Sequence, residues 1–241
     1  MMIKGVLFDF SGTLFRIESA RAWLRAALDA SGTVLPEDQF ARYADELTDA
    51  GALPGGAAPR SVPPELAELW ASRDRSQELH RAAYTGLARR VTLPDPQLYT
   101  CLYDRHMTPA AWHPYPDAHT VLSALRERGV PVAVVSNIGW DLRPVFRAHG
   151  LDGLVGAHVL SYEHGVQKPD PRLFRTGCEA IGREPGDVLM VGDDRRADGG
   201  ASALGCAVHF VDHLTVDERP AGLLPVLDLV DGGQHGAALS G

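Results

Sequence analysis

From residue 112 onward the chain alternates two textures, and this alternation restricts the fold more than any other feature. Apolar, β-branched runs ("VPVAVVSN", "GAHVLS", "DVLMVGDD", "CAVHFVD") take turns with amphipathic segments. The latter are "DAHTVLSALRERG", "DLRPVFRAHG", "DPRLFRTGCEAIG" and a helix start at "ADGGASALG". Strands separated by helices pair in parallel, and a parallel sheet needs helices on both faces. One more run of this kind, "IKGVLFDF", stands alone near the start, about a hundred residues before the others. The pattern predicts an α/β fold with a doubly wound parallel sheet, its first strand separated from the rest by a long insert.

The insert has a different composition. Ile17, Ala20, Trp23, Leu24, Ala27 and Leu28 fall at helical spacing, with Gly32 as a stop. "PEDQFARYADEL" opens on Pro36 with acids in its first turn. "GALPGGAAPRSVPP" is a loop by composition. Two or three more helices are expected before His106, and no strand anywhere in the insert. The division follows: residues 1–15 and 112–232 form the α/β core, 16–111 a helical insert, and 233–241 a flexible tail.

Ligands of open parallel sheets bind beyond the carboxyl ends of the strands. Here those ends are polar. The first strand runs into Asp9, followed by Ser11, Gly12 and Thr13; the next ends in Ser136 and Asn137. "GVQKPDP" delivers Lys168, and "GDDRRAD" supplies Asp193, Asp194 and Asp198. Singly, such residues cap helices and turns or sit in solvated loops. Gathered on one edge, they make a site for a metal ion and an anion. Carboxylates and a backbone carbonyl suit Mg²⁺, and a lysine with a hydroxyl suits phosphate oxygens. Lys168 is conspicuous, because Lys4 is the only other lysine and all other Lys/Arg positions hold arginine.

These segments, in this order, resemble the motifs of the haloacid dehalogenase-like (HAD) superfamily. "DFSGTL" is similar to the first motif, usually DxDGT; "VVSN" resembles the second, "KPDP" the third and "VGDDRRAD" the fourth. The insert after motif one resembles the family's helical cap. The resemblance implies a Rossmann-like core with an all-helical cap and a small, phosphorylated substrate. It implies Asp9 as nucleophile, forming an aspartyl-phosphate. Thr13 and Ser136 would hold phosphate oxygens, with Ser11, Gly12 and Asn137 bordering the substrate. Lys168 would neutralise charge in the transition state. Asp9, the carbonyl of Ser11 and Asp193 would ligate Mg²⁺. Asp198 would orient Lys168, and Asp194 would stand behind the metal or reach it through water.

Ser11 departs from the pattern. Phosphatases of the family carry a second aspartate there, which protonates the leaving group and then activates water. A serine hydroxyl is too weak an acid for this at neutral pH, and such help is worth roughly 10²–10⁴-fold. Three readings stay open. The first is a Mg²⁺-dependent phosphatase or phosphotransferase with another acid, for which His113, His164 and Asp141 are candidates. The second is a 2-haloacid dehalogenase-type hydrolase; those relatives usually carry tyrosine at Ser11's position and lack the acidic "GDD". The third is a binding or regulatory protein that has lost its acid. A phosphonate-cleaving relative would need a cap lysine, and residues 16–111 contain none.

Composition narrows the rest. Net charge is −8 with a pI near 5.6, which argues against nucleic acid as a partner. Cys101, Cys178 and Cys206 fit no disulfide or metal spacing and read as small hydrophobes. No apolar run is long enough to span a bilayer, and a cytoplasmic location is expected. Substrate identity would be set by the cap. There Arg21, Arg25, Trp23 and Trp112 are candidates, although the aromatic stripe reads as cap core and the arginines as solvated. Oligomeric state is not legible.

Overall fold

The computed structural model describes residues 2–235. Seven strands form: β1 (Gly5–Phe8), β2 (Phe15–Ile17), β3 (Trp112–Pro114), β4 (Val132–Ser136), β5 (Ala157–Leu160), β6 (Val188–Gly192) and β7 (Ala207–Phe210). Five of them make one parallel sheet in the order β5–β4–β1–β6–β7. β1 is central, so Asp9 emerges between the ends of β4 and β6. Those ends carry Ser136 and Asp193.

Both faces of the sheet are covered, and residue alternation along each strand decides which face a side chain joins. Val6, Phe8, Val132, Val134, Leu189 and Val191 pack to one side. There they meet α6 (Ala118–Glu127), α7 (Arg143–Ala148) and α10 (Pro225–His235). Leu7, Ala133, Val135, Val159, Val188 and Met190 point the other way, onto α9 (Pro171–Ala180). The short helix α8 (Ser161–His164) follows β5 directly.

The insert contributes α1 (Ala20–Ser31), α2 (Glu37–Asp49), α3 (Ala67–Ala71), α4 (Gln77–Ala88) and α5 (Gln97–His106). Ser19 caps α1 by accepting the Ala22 N–H at 3.2 Å, and Gly32 ends it at φ +70°. Trp23 and Leu24 of α1, Phe40 and Leu47 of α2, Leu87 of α4 and Leu102 of α5 form the insert's apolar centre. That centre continues through Trp112, Phe10 and Phe15 into the sheet's core.

Two expectations are corrected, and one helix start is refined. The insert was expected to hold no strand, yet β2 runs to Ile17 and pairs antiparallel with β3, with Arg16 opposite His113. The ribbon forms because the chain must leave and re-enter the core at one place. "ADGGASALG" winds as a 3₁₀ helix over Asp198–Leu204, consistent with two consecutive glycines being poor α-helix formers. Finally, α10 continues through 233–235, the beginning of the expected tail; residues 236–241 lie outside the described residues.

Candidate active site

The chain after β1 turns back within six residues. Gly12 N–H donates to the Phe15 carbonyl at 2.7 Å, and Leu14 and Phe15 N–H return to Phe10. Gly12 sits at φ +82°, and a Cβ there would fall 2.3 Å from Asp193 Oδ2. Only glycine meets both demands. The loop is pinned by a residue far away in sequence. Arg219 donates from Nη1 to the Gly12 carbonyl at 2.6 Å and from Nη2 to the Thr13 carbonyl, while its guanidinium lies 3.3 Å over the Tyr115 ring.

Asp9 is 7% exposed and Lys168 4%. Lys168 Nζ donates to Asp9 Oδ1 at 2.6 Å and to Asp198 Oδ1 at 2.5 Å. Burial opposes the ammonium charge, but the charges and hydrogen bonds of Asp198 and Asp9 prevail and raise its pKa. Asp9 is raised to about 8: burial is the main cause, Asp198 and Asp193 add to it, and Lys168 opposes it. Asp198 is raised as well, by burial first.

Of the other predicted residues, Ser11, Ser136, Asn137, Asp193 and Asp194 line the same cavity, whereas Gly12 and Thr13 are not among its lining residues. Ser136 is buried at the end of β4 and borders the cavity. Asn137 borders it too, and its amide holds the backbone of Lys168: Oδ1 accepts the Lys168 N–H at 2.6 Å and Nδ2 donates to the Lys168 carbonyl at 3.0 Å. Asp194 Oδ1 accepts the N–H groups of Arg196 and Ala197, and Asp198 Oδ2 accepts the Asp194 N–H. Ser11 faces the same cavity. Thr13 is fully buried, with its Oγ1 lacking any hydrogen-bond partner.

Two features fit a hard cation with an oxyanion beside it. Carboxylate oxygens of Asp9, Asp193 and Asp198 lie within 4.8 Å of one another, a crowding of like charge that a divalent ion relieves. The unpartnered Thr13 hydroxyl is a donor without an acceptor. Asp198 joins this cluster geometrically, although the sequence placed it as a support for Lys168, and it serves that role too.

The proposed stand-in acids do not reach the site. Among the described residues, those lining the cavity of about 220 Å³ include none of His113, His164 and Asp141. His113 is exposed on β3, His164 is exposed on α8, and Asp141 pairs with Arg143 at 3.0 Å. Arg21 and Arg25 pair with Glu37 on the outside of the insert, and Trp23 is bonded to the Leu102 carbonyl in its core. Trp112 does border the cavity.

Sequence reasoning missed the residues that complete the walls. His213, beyond β7, contacts Asp193 Oδ2 through Nδ1 and Arg16 Nη1 through Nε2. Arginine can only donate, so Nε2 accepts and the proton sits on Nδ1, pointed at Asp193. Arg16 also donates to the Gly55 carbonyl at 2.9 Å, tying the insert's Gly-rich loop to this chain of contacts. His213 was legible as a fifth polar strand end. Arg73, Asp74, His80 and Tyr84 of the insert close the cavity from above, where no local signal marks them.

A family model described as haloacid dehalogenase-like hydrolase matches residues 3–205. The phosphoserine phosphatase of Thermus thermophilus is 37% identical over 108 residues, 44% of this chain and 43% of that protein. The chain thus spans less than half of that relative's length. The glyceraldehyde 3-phosphate phosphatase of Methanopyrus kandleri is 29% identical over 202 residues, covering 80% of this chain and 76% of that one. The (S)-2-haloacid dehalogenase 4A of Burkholderia cepacia is 33% identical over 93 residues, 38% and 40% of the two chains. A magnesium-bound HAD-hydrolase structure from Bacillus subtilis superposes with a TM-score of 0.67 at 17% identity. It covers 96% of this chain and all of that one, a likeness of fold.

Proposed function

The chain belongs to the haloacid dehalogenase-like hydrolases, and from that premise we propose that it hydrolyses small phosphomonoesters through an aspartyl-phosphate on Asp9, with Mg²⁺ as cofactor. The observation that carries this reading is the buried Asp9–Lys168–Asp198 chain with Asp193 beside it. Residues 16–111 act in this reading as the cap over the site.

Asp9 attacks phosphorus: a bond forms from its carboxylate oxygen to phosphorus while the ester P–O bond breaks. Lys168 offsets charge on the phosphoryl oxygens, and Asn137 fixes its backbone. The Thr13 and Ser136 hydroxyls receive those oxygens. Gly12 lets the loop pass Asp193 closely, and Ser11 and Gly12 border the substrate. Water then hydrolyses the aspartyl-phosphate. Asp9, Asp193 and the Ser11 carbonyl would hold Mg²⁺, with Asp194 and Asp198 supporting. When bound, the ion supplies positive charge that keeps Asp9 ionised and steadies the phosphoryl group.

The test is a paired assay at pH 7. p-Nitrophenyl phosphate and 2-chloropropionate are each offered with Mg²⁺ and with EDTA, with Asp9→Asn as control. Phosphate release that needs Mg²⁺ and falls at least ~10³-fold in Asp9→Asn is expected. The haloacid dehalogenase relative favours a second reading, carbon–halogen hydrolysis. Chloride release that ignores EDTA would select it and leave the acids of "GDD" structural.

A further inference from the structure

Five carboxylic residues line the cavity: Asp9, Asp74, Asp193, Asp194 and Asp198. Four of them are hydrogen-bonded. Asp9 and Asp198 take Lys168, Asp193 takes His213, and Asp194 takes two backbone N–H groups. Asp74 differs. It is 3% exposed, and among the described residues its side-chain contacts are ion-pair contacts rather than close hydrogen bonds. Its nearest basic neighbours are the Arg73 guanidinium, with Nε at 3.4 Å, and the neutral His80 ring, with Nε2 at 3.9 Å.

Burying a carboxylate costs more than burying a carboxylic acid in the same place. Burial raises the pKa of Asp74, with Arg73 and Lys168 pulling the other way. The groups facing it are Arg73 on its own segment, His80 and Tyr84 on α4, and Lys168 before α9. Burial holds His80 neutral, and its Nδ1 is occupied by the Tyr103 hydroxyl at 2.7 Å. His213 has both ring nitrogens engaged. Among the described residues, Asp74 is therefore the carboxyl on the insert side of the cavity, and burial favours its protonated form.

Its position is fixed from the core side. Ser161 Oγ donates to the Asp74 carbonyl at 2.5 Å, and Gln167 Nε2, next to Lys168, donates to the Ala71 carbonyl at 2.8 Å. These bonds dock the Arg73–Arg75 turn onto the loop that carries Lys168.

Resting on the phosphomonoester reading, we propose that Asp74 of the insert is the general acid and base that Ser11 cannot be. As the ester P–O bond breaks, the Asp74 carboxyl gives its proton to the departing oxygen, releasing an alcohol. Its carboxylate then takes a proton from the water that attacks the Asp9 phosphoryl group. Inorganic phosphate leaves, and both carboxyl groups return to their starting state.

The experiment compares an alkyl and an aryl phosphate, because an aryl leaving group needs no proton. In Asp74→Asn, kcat/KM for the alkyl ester should fall roughly 10²–10⁴-fold and for p-nitrophenyl phosphate no more than about tenfold. Adding Ser11→Asp to that variant should restore much of the alkyl rate. An equal loss on both esters that depends on Asp9, or no loss, overturns the Asp74 assignment alone; phosphate release that survives Asp9→Asn overturns the reading beneath it. A readout that needs no turnover is the infrared spectrum at pH 7. The native protein should show a protonated-carboxyl C=O band that Asp74→Asn lacks, and identical spectra overturn the assignment. If Asp74→Asn does not fold, Ser11→Asp in the native chain decides: a 10²-fold gain on the alkyl ester means that the acid is missing and Asp74 is not it.

Discussion

The two walls of the cavity are built by different rules. The sheet side places its charges in tight, reciprocal pairs, with Lys168 between Asp9 and Asp198 and His213 between Asp193 and Arg16. The insert side embeds its polar groups among aromatic rings. Arg73 lies 3.9 Å over Trp70, and His80 stacks on His106 with ring centroids 5.5 Å apart. The sheet wall can hold charge because each ion has a partner at hydrogen-bond distance. The insert wall carries the Arg73 guanidinium beside Asp74, while burial drives its histidines toward the neutral form. The contrast suggests a division of labour: fixed charges for the phosphoryl group below, protonated or neutral groups for the leaving group above.

The sharpest way to break this contrast is to remove the centre of the charged wall. Lys168→Met leaves Asp9 and Asp198 buried without a cation. Phosphate release should drop by at least ~10²–10³-fold in kcat, read by single-turnover kinetics on protein whose circular dichroism confirms a fold. Retained activity would mean that the pairing is structural.

A next step tests how the wall is held. Arg219 bonds two loop carbonyls just beyond Asp9 from the far end of the chain. Arg219→Met strands both, so urea unfolding should show a loss of roughly 2–4 kcal/mol. The smaller alternative, under 1 kcal/mol, would place the loop's stability in the Gly12–Phe15 turn itself.

Gly12→Ala probes spacing instead of charge. The new methyl overlaps Asp193 and His213, so Mg²⁺ affinity measured by calorimetry should weaken about tenfold or more, given the cost of a strained non-glycine φ.

The mildest effect belongs to the insert wall and comes through pH. Burial pulls His106 down to about 3, below its unfolded value near 6.5. The unfolded chain therefore takes the proton first. The stability this site contributes is present above pH 6.5 and is lost as pH falls from there toward 3. Between pH 7.5 and pH 5 it should cost the native protein roughly 1–2 kcal/mol that His106→Phe does not lose, visible as a difference in the two Tm–pH curves. Parallel curves would move the acid sensitivity elsewhere.

Legibility followed the same division. Asp9, Ser136 and Asp193 could be named from the sequence because each ends a strand or begins the loop beyond it, and Lys168 and Asp198 because they lie a few residues further on, where parallel strands bring such ends together. Asn137 was legible as a site residue, yet its main contact, the backbone of Lys168, was not. His113, His164 and Asp141 failed as acids for want of proximity: residue type and nearby sequence do not show which way a loop faces. Asp74 and Arg219 carried no mark, since each reaches the site through contacts spanning 87 or more positions in the chain.

The sequence by itself determined the sheet, the order of its chemical ends and the interruption after the first strand. Strand alternation, turn residues and helix periodicity act over a few residues and are written in them. Tertiary structure alone decided which insert residues close the cavity, which imidazole nitrogen of His213 faces Asp193, and which insert carboxyl lies buried in the cavity wall. Those outcomes depend on how the insert docks through Ser161, Gln167 and the β2–β3 ribbon, and on the burial that docking imposes. Burial is a property of the packed whole, and no short stretch of sequence contains it.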